Sequence, residues 1–183
     1  MIRLAPLALA LALSACQVES APADVASADI PAPAPEAEVI PAAVDLPADA
    51  PVATVYKSPT CGCCTLWAEY MAREGFRVET EDVPDVRVVS AELGMPADLG
   101  SCHVATVATA DGEAEYIVEG HVPADAVRRL LTEQPDARGL TVPGMPIGSP
   151  GMEQGDRRQA YNVLLVDNAG EAAIYERIPG NEG

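Results

Sequence analysis

The sequence predicts a mixed α/β domain whose elements follow the order strand, helix, strand, helix, strand, strand, helix. Two patterns carry this prediction. Apolar residues alternate with polar ones in segments such as 53–57, as expected for strands that are buried on one face. Elsewhere, apolar residues recur three and four positions apart, as at Val127, Leu130 and Leu131, which indicates an amphipathic helix.

The first strand, residues 53–57, leads through a cysteine-rich loop into a helix over 61–73. Thr60 is the expected N-cap of this helix, and Gly75 is expected to end it. The next elements are predicted from the same signals: strand 76–82, helix 86–93 capped by Asp85, strand 104–109, strand 114–118, and a helix opened by Pro123.

This order, with cysteines at the start of the first helix, resembles the thioredoxin-like fold. A C-terminal extension is expected beyond it. Residues 140–155 are rich in glycine and proline and are predicted to form turns, and residues 161–166 and 171–177 are predicted to form a closing β-hairpin.

Residues 1–15 are interpreted as an export signal, because their apolar stretch, 4–13, is too short to span a bilayer. The small residues directly before Cys16 resemble the cleavage box of bacterial lipoproteins, which predicts that Cys16 is lipidated. The alternative is ordinary cleavage near Ala15, which would leave Cys16 as a free thiol. The expected location is the periplasmic side of the cell envelope, and Gln17 after the cysteine favours the outer membrane over the inner one.

Residues 16–51 are rich in alanine, proline and acidic residues and contain no lysine or arginine. Such a segment cannot bury enough apolar surface to offset its ordering entropy, so it is predicted to be a disordered tether before a folded domain at 52–183. The formal net charge of −17 argues against a nucleic-acid partner, because an acidic surface repels phosphates. Membrane contact is expected only through a lipid anchor at Cys16.

Three cysteines, Cys61, Cys63 and Cys64, fall within four residues at the start of the first predicted helix. The helix N-terminus favours anions, so it eases ionisation of a thiol, and the thiolate is both the nucleophile and the metal ligand. Cys61 and Cys64 have the spacing of a thioredoxin-type redox pair, but that pair leaves Cys63 without a role. Binding of a soft metal is therefore the leading interpretation, and a purely structural disulfide is the alternative.

The second constellation is Cys102-His103, which precedes the third predicted strand. In a thioredoxin-like fold this loop lies against the cysteine loop, so Cys102 is expected to face Cys61–Cys64. Thioredoxins carry a proline in that loop, and its absence here argues against a general disulfide exchanger. His103 and His121 are weaker candidates as ligands, because a histidine near a strand is often only a packed residue.

The spacing of the cysteine and histidine residues excludes some other cofactors and leaves zinc open. Attachment of haem c requires a histidine after the second cysteine of the pair, where this chain has Thr65, and the iron–sulfur spacings do not match either. Zinc stays open, because Cys102 and His103 can supply a second ligand pair.

Met145 and Met152 lie in a loop that is dense in glycine and proline. Thioether and thiolate ligands together select Cu(I) over harder metals. The alternative is that both methionines fill gaps in the core.

Four separated blocks resemble the CopG-like copper-resistance family, an exported thioredoxin-like family long described as a domain of unknown function. They are Tyr56-Lys57-Ser58-Pro59-Thr60-Cys61-Gly62-Cys63-Cys64, Ser101-Cys102-His103, Glu119-Gly120-His121-Val122-Pro123, and Val142-Pro143-Gly144-Met145-Pro146-Ile147-Gly148-Ser149-Pro150-Gly151-Met152. The resemblance covers roughly residues 53 to 155. It implies copper handling in the periplasm, with Cys61, Cys63, Cys64 and Cys102 as ligands and His103, His121, Met145 and Met152 as further candidates.

Three functions follow as hypotheses. The first is a copper-resistance protein whose reduced thiols bind Cu(I), with cycling between thiols and disulfide. The second is a thiol–disulfide oxidoreductase that uses Cys61 and Cys64 as its catalytic pair. The third is a binding module that delivers metal to an efflux or delivery protein.

Overall fold

The computed structural model of the protein describes residues 46–181. The predicted export signal, Cys16 and the tether as far as residue 45 lie outside the described residues. The secondary-structure elements run in the order β1 (Val52–Lys57), α1 (Gly62–Arg73), β2 (Arg77–Asp82), α2 (Val86–Glu92), a 3₁₀ turn (Ala97–Leu99), β3 (His103–Ala108), β4 (Glu115–Glu119), α3 (Ala124–Glu133), β5 (Gly139–Thr141), β6 (Tyr161–Val166) and β7 (Ala172–Ile178).

The strands form one seven-stranded mixed sheet in the order β2-β1-β3-β4-β5-β6-β7. Strand β1 pairs in parallel with β2 and antiparallel with β3, and β3 and β4 form an antiparallel pair. The mixed α/β class and the order of the first seven predicted elements are confirmed. The resemblance to the thioredoxin-like fold stays an interpretation of that order.

The closing hairpin continues the same sheet through a strand that the sequence analysis missed. Residues 139–141 were assigned to a turn-rich loop or its edge, yet they form β5, which pairs in parallel with β4 and antiparallel with β6. Three residues are too few to show a period of two, so no pattern could have revealed this strand. Strands β6 and β7 form the predicted hairpin and extend the sheet to its far edge.

The ends of α1 follow one prediction and contradict another. Thr60 is not the N-cap: Cys61 occupies that position without a side-chain cap, and the Thr60 hydroxyl lies 3.2 Å from Ser58 Oγ. At the other end, Gly75 has a φ of +92° and donates its N–H to Ala72 O, while Phe76 N–H reaches Met71 O. These two hydrogen bonds form a Schellman motif, for which glycine is the preferred residue at the left-handed position.

The core lies on both faces of the sheet. Helices α1 and α3 pack on one face, where Trp67, Met71 and Leu130 are fully buried against the strands. Helix α2 lies on the other face, where Val86 packs near Val104 of β3 in a smaller cluster. Among residues 46–181, none of the helices has the length and apolar character needed to cross a membrane.

We predict that Gly139→Ala loosens the closing hairpin from the rest of the sheet. A Cβ at this position would collide with the backbone of Ile117 on β4, and a backbone atom of a paired strand cannot move aside cheaply. Overpacking of this kind costs about 1–3 kcal/mol. Urea unfolding should show a lower midpoint, and hydrogen exchange should accelerate first in residues 161–178.

Gly62→Ala is the matched control, because a Cβ at Gly62 would meet nothing within 4 Å. In a helix this change should leave the stability equal or raise it by up to about 1 kcal/mol. An unfolding midpoint of Gly139→Ala equal to that of the wild type would contradict the account of β5.

Candidate metal centre

The predicted site residues gather at one edge of the sheet. Strand β1 ends at Lys57, which pairs with His103 at the start of β3, and β3 in turn pairs with β4, which ends at Glu119. The segment after β1, the loop before β3 and the turn after β4 therefore meet at the same edge. These three segments carry the cysteine triplet, Cys102 and His121, respectively.

Four cysteine sulfurs form a compact cluster. Cys61 and Cys64 are joined by a disulfide, with their Cα atoms 5.3 Å apart. Cys63 Sγ lies 3.6 Å from Cys61 Sγ and 3.8 Å from Cys102 Sγ. All four sulfurs lie within 4.8 Å of one another, so the structure brings Cys102 to the triplet as the sequence analysis expected.

The cluster is accessible on one side. Cys64 is fully buried, and its sulfur lies 3.4 Å from the carbonyl oxygen of Cys102. Cys61, Cys63 and Cys102 are half-buried. Cys63 and Cys102 are free thiols. An ion or a small reactant can therefore approach three of the four sulfurs from solvent.

His121 is held in one tautomer with a lone pair toward the cluster. Its Nδ1 lies 2.8 Å from the carbonyl oxygen of Pro150, which can only accept, so Nδ1 carries the proton. Nε2 of the neutral ring is therefore an acceptor, and it lies 3.1 Å from Cys102 Sγ. In the metal-free protein the Cys102 thiol donates to His121 Nε2, and after loss of that proton both atoms can serve as ligands. Burial lowers the pKa of His121, which favours this neutral form.

His103 is completely buried beside the same sulfur. Its Nδ1 lies 3.4 Å from Cys102 Sγ, and within residues 46–181 its Nε2 has no hydrogen-bond partner. The ring centroid lies 4.5 Å from that of Trp67 and 5.0 Å from that of His121. Burial, followed by the neighbouring His121, lowers the pKa of His103 to about 3, so the ring is neutral at physiological pH.

Cys102 is a protonated thiol in the metal-free protein. Burial, followed by the proximity of Cys63, raises the pKa of Cys102 to about 12. A bound cation reverses this preference, because a coordinated thiol loses its proton. The metal-free site therefore holds a neutral thiol and two neutral imidazoles. The imidazoles each have a free lone pair for a metal, and the thiol gains one when it loses its proton.

The loop that contains both candidate methionines is hydrogen-bonded to the segment just before Cys102. Ser101 Oγ donates to Gly144 O at 2.7 Å, and Gly144 N–H donates to Gly100 O at 3.2 Å. Met145, the next residue, is 52% exposed, and Met152 is half-buried. The ligand role of these two thioethers stays a prediction.

Gly151 explains why the same loop can approach the cysteines. It has a φ of +81°, and a Cβ there would lie 2.8 Å from both Cys63 O and Trp67 N. Only glycine combines this backbone conformation with such a close approach. The loop therefore packs directly on the start of α1, and the preceding residue supplies the carbonyl that fixes His121.

Sequence reasoning missed two partners of the site. Trp67 carries no predicted role, but its ring packs against that of His103 and its Nε1–H donates to Val122 O at 2.9 Å. Glu119 was quoted in a motif without a role, although it is 1% exposed. An acidic residue at the end of an apolar strand is the sequence signal for such a buried carboxylate.

The donor set fits a soft metal ion. The residues that converge offer four sulfurs in one group and Cys102, His103 and His121 in a second, overlapping group. Thiolate ligands favour Cu(I) and zinc, and imidazole suits either. His103 adds its Nδ1, which lies 3.4 Å from Cys102 Sγ and therefore faces the cluster. Fold and site thus define a mixed α/β protein with a thiol–imidazole cluster that can hold a metal ion.

Comparison with known proteins agrees with this class. The family described as "Protein of unknown function, DUF411" matches residues 99–152. The structure "Copper resistance protein copG- Form 2" is 39% identical, with a TM-score of 0.65, over 72% of this chain and 100% of that chain. "Copper resistance protein copG- Form 1" is 41% identical, with a TM-score of 0.62, over 70% of this chain and 98% of that one. No curated protein sequence matches. The chain belongs to the CopG family of copper-resistance proteins.

We predict that His103 makes the metal-free protein less stable as the pH falls. Above the ordinary histidine pKa of about 6.5, the ring is neutral in both the folded and the unfolded chain. Between that value and the folded pKa of about 3, only the unfolded chain binds the proton, so the free energy of unfolding decreases. A single proton contributes at most about 1.4 kcal/mol per pH unit.

Urea unfolding of the wild type and of His103→Gln between pH 7 and pH 4 isolates this effect, because the carboxylates are the same in both. The stability of the wild type should decline more steeply. Parallel curves for the two proteins would show that His103 is not a buried neutral imidazole.

Proposed function

We propose that this protein takes part in copper resistance by binding Cu(I) through the reduced thiols of Cys61, Cys63, Cys64 and Cys102. One observation carries the proposal: the Cys102 sulfur comes from a distant loop and lies 3.8 Å from the Cys63 sulfur. A cluster that joins two segments in this way can enclose an ion. The CopG structures, which are copper-resistance proteins by name, supply the biological setting.

Cu(I) fits the donors better than harder metals do. Sulfur is a soft, polarisable ligand, and the site combines sulfurs with imidazoles in a half-buried position. Oxygen donors, which magnesium and calcium require, are absent from both donor groups of the described residues. Zinc is the alternative metal, because four sulfurs or a mixture of sulfur and imidazole suits it as well.

The disulfide between Cys61 and Cys64 makes binding depend on thiol redox state. Opening it consumes two electrons and two protons and yields two thiols, which can then act as ligands. In the opposite direction, one dithiol supplies two electrons, so two Cu(II) ions become two Cu(I) ions, the disulfide forms and two protons are released. Copper and thiols can therefore exchange electrons at this site without a further cofactor.

Binding also depends on protons. The Cys102 thiol must lose its proton, and burial opposes that loss in the absence of a cation. His121 Nε2, which lies 3.1 Å from that sulfur, must stay unprotonated to act as a ligand, so the proton has to leave to solvent. Binding of Cu(I) is therefore expected to release protons and to weaken as the pH falls.

Anaerobic titration of the fully reduced protein with Cu(I), against a competing chelator, tests the proposal. Cys63→Ser and Cys102→Ser should each weaken binding by at least about tenfold, because each removes a thiolate ligand. Tyr116→Phe is the control, because the Tyr116 hydroxyl donates to Pro135 O and Tyr116 belongs to neither donor group. Undiminished binding in both cluster variants would refute the proposal.

A thiol–disulfide oxidoreductase is the second candidate, and the Cys61–Cys64 disulfide favours it. The same variants separate the two functions. An oxidoreductase of this type should reduce a protein disulfide without metal and retain its rate in Cys63→Ser and Cys102→Ser. The copper proposal expects both Cys63 and Cys102 to be required for Cu(I) binding, although neither is required for thiol exchange. Loss of Cu(I) binding in the two variants therefore favours the copper proposal.

We further propose that the protein is exported and anchored by a lipid at Cys16 on the periplasmic side, with the outer membrane favoured over the inner one. The support is the sequence around Cys16 and the segment rich in alanine, proline and acidic residues that follows it. The wild-type protein should be labelled by a fatty acid and found in the membrane fraction. The Cys16→Ser variant should lose both the label and the membrane association.

Delivery of copper to an efflux protein is the third proposal. Its test is co-purification with such a protein, which is expected only in the presence of copper.

A further inference from the structure

Glu119 is a buried carboxylate that the functions proposed above do not use. It ends β4, it is 1% exposed, and its neighbours Ile117 and Val118 are buried apolar residues. None of the ion pairs of residues 46–181 includes it. A buried carboxylate without a cationic partner is costly, and it is tolerated only where hydrogen bonds satisfy its oxygens.

Its two oxygens join two parts of the chain that are distant in sequence. Oε1 accepts the backbone N–H of Ser101 at 3.0 Å, and Oε2 accepts the hydroxyl of Ser90, on α2, at 2.7 Å. The Ser101 peptide leads directly to Cys102. Glu119 therefore fixes the loop that brings the fourth sulfur to the cluster.

Gly120, the residue between Glu119 and His121, also packs against the loop that carries Cys102. Gly120 N–H donates to His103 O at 3.0 Å, and a Cβ on Gly120 would lie 2.6 Å from Ser101 Oγ. The turn that carries His121 and the loop that carries Cys102 are thus in contact with little free space between them. A change at Glu119 alters the relative position of a sulfur and an imidazole that lie 3.1 Å apart.

We propose that Glu119 is a positioning residue that holds Cys102 and His121 in place for metal binding. The proposal rests on the proposed function, because it assigns Glu119 its role through two candidate ligands. Glu119 touches no metal itself. It removes freedom from the Cys102 loop before an ion arrives, so that binding does not have to offset the entropy of ordering that loop.

Two measurements on the full-length reduced protein test this role, one with copper and one without. The first is Cu(I) affinity by chelator competition. The second is the alkylation rate of each cysteine by iodoacetamide in the metal-free protein, mapped by mass spectrometry. Cys61 serves as the internal reference, because it is the N-cap residue of α1 and its sulfur contacts that of Cys63, so general loosening of the fold would expose it together with Cys102.

Glu119→Ala should weaken Cu(I) binding by about 10- to 100-fold, the range typical of residues that orient metal ligands. It should also raise the ratio of Cys102 to Cys61 alkylation by roughly tenfold, because only the loop opens. Glu119→Gln should behave like the wild type in both measurements, since its amide oxygen still accepts the Ser101 N–H. Ser90→Ala, which removes only one of the two hydrogen bonds, should raise the alkylation ratio by a smaller factor.

Tyr116→Phe is the matched control. Tyr116 is also a buried residue of β4, and its hydroxyl donates to Pro135 O at 3.0 Å, so the variant loses one hydrogen bond in another part of the fold. It should leave both measurements unchanged. An unchanged alkylation ratio in Glu119→Ala, or an equal rise in Tyr116→Phe, would overturn the proposal.

The copper-free measurement separates this inference from the proposed function. If the wild type binds no Cu(I), the copper proposal fails, while the alkylation ratio still decides whether Glu119 positions the loop. If Glu119→Ala does not fold, the decision passes to Ser90→Ala and Glu119→Gln. A wild-type ratio in Ser90→Ala, or a strongly raised ratio in Glu119→Gln, would then overturn it.

Discussion

The antiparallel pairing of β1 with β3 is the constraint on which the site depends. It places Lys57 opposite His103, so the chain that leaves β1 toward α1 passes beside the chain that enters β3. Cys102, the last residue before β3, therefore meets the sulfurs at the start of the helix. Side chains alternate along a strand, so a slip of one residue in this register would turn His103 to the opposite face of the sheet. The donor cluster is thus a consequence of sheet register as much as of cysteine spacing.

Burial keeps three donor groups of this cluster uncharged in the metal-free protein. The pKa of Cys102 is raised and those of His103 and His121 are lowered, all chiefly because burial disfavours the charged form. The metal-free site therefore contains neutral groups with lone pairs rather than thiolates paired with imidazolium ions. The unsatisfied Nε2 of His103 shows that this arrangement is not optimal for stability alone. An incoming soft cation would permit the Cys102 thiol to ionise, because a coordinated thiol loses its proton.

Sequence periodicity was sufficient for the order of the first seven elements, and the resemblance of that order to the thioredoxin-like fold was sufficient for the expectation that Cys102 meets the triplet. They were insufficient where the decisive contact lies between distant segments. Thr60 has the right chemistry for an N-cap, yet its hydroxyl turns to Ser58 and Cys61 takes that position. Strand β5 exists because β4 and β6 offer partners on both sides. The tautomer of His121 depends on a carbonyl 29 residues away, which no local pattern contains.

The positions of the Cys63 and Cys102 sulfurs help to distinguish metal binding from thiol–disulfide exchange. A dithiol that exchanges with protein disulfides needs Cys61 and Cys64, and one of these, Cys64, is fully buried under the Cys102 loop. That loop is fixed by a buried carboxylate, and His121 points its free lone pair at the Cys102 sulfur rather than at the disulfide. Such groups would be idle in thiol exchange alone. They become necessary once the fourth sulfur and an imidazole must hold the same ion, and for this reason the arrangement favours metal binding over disulfide exchange.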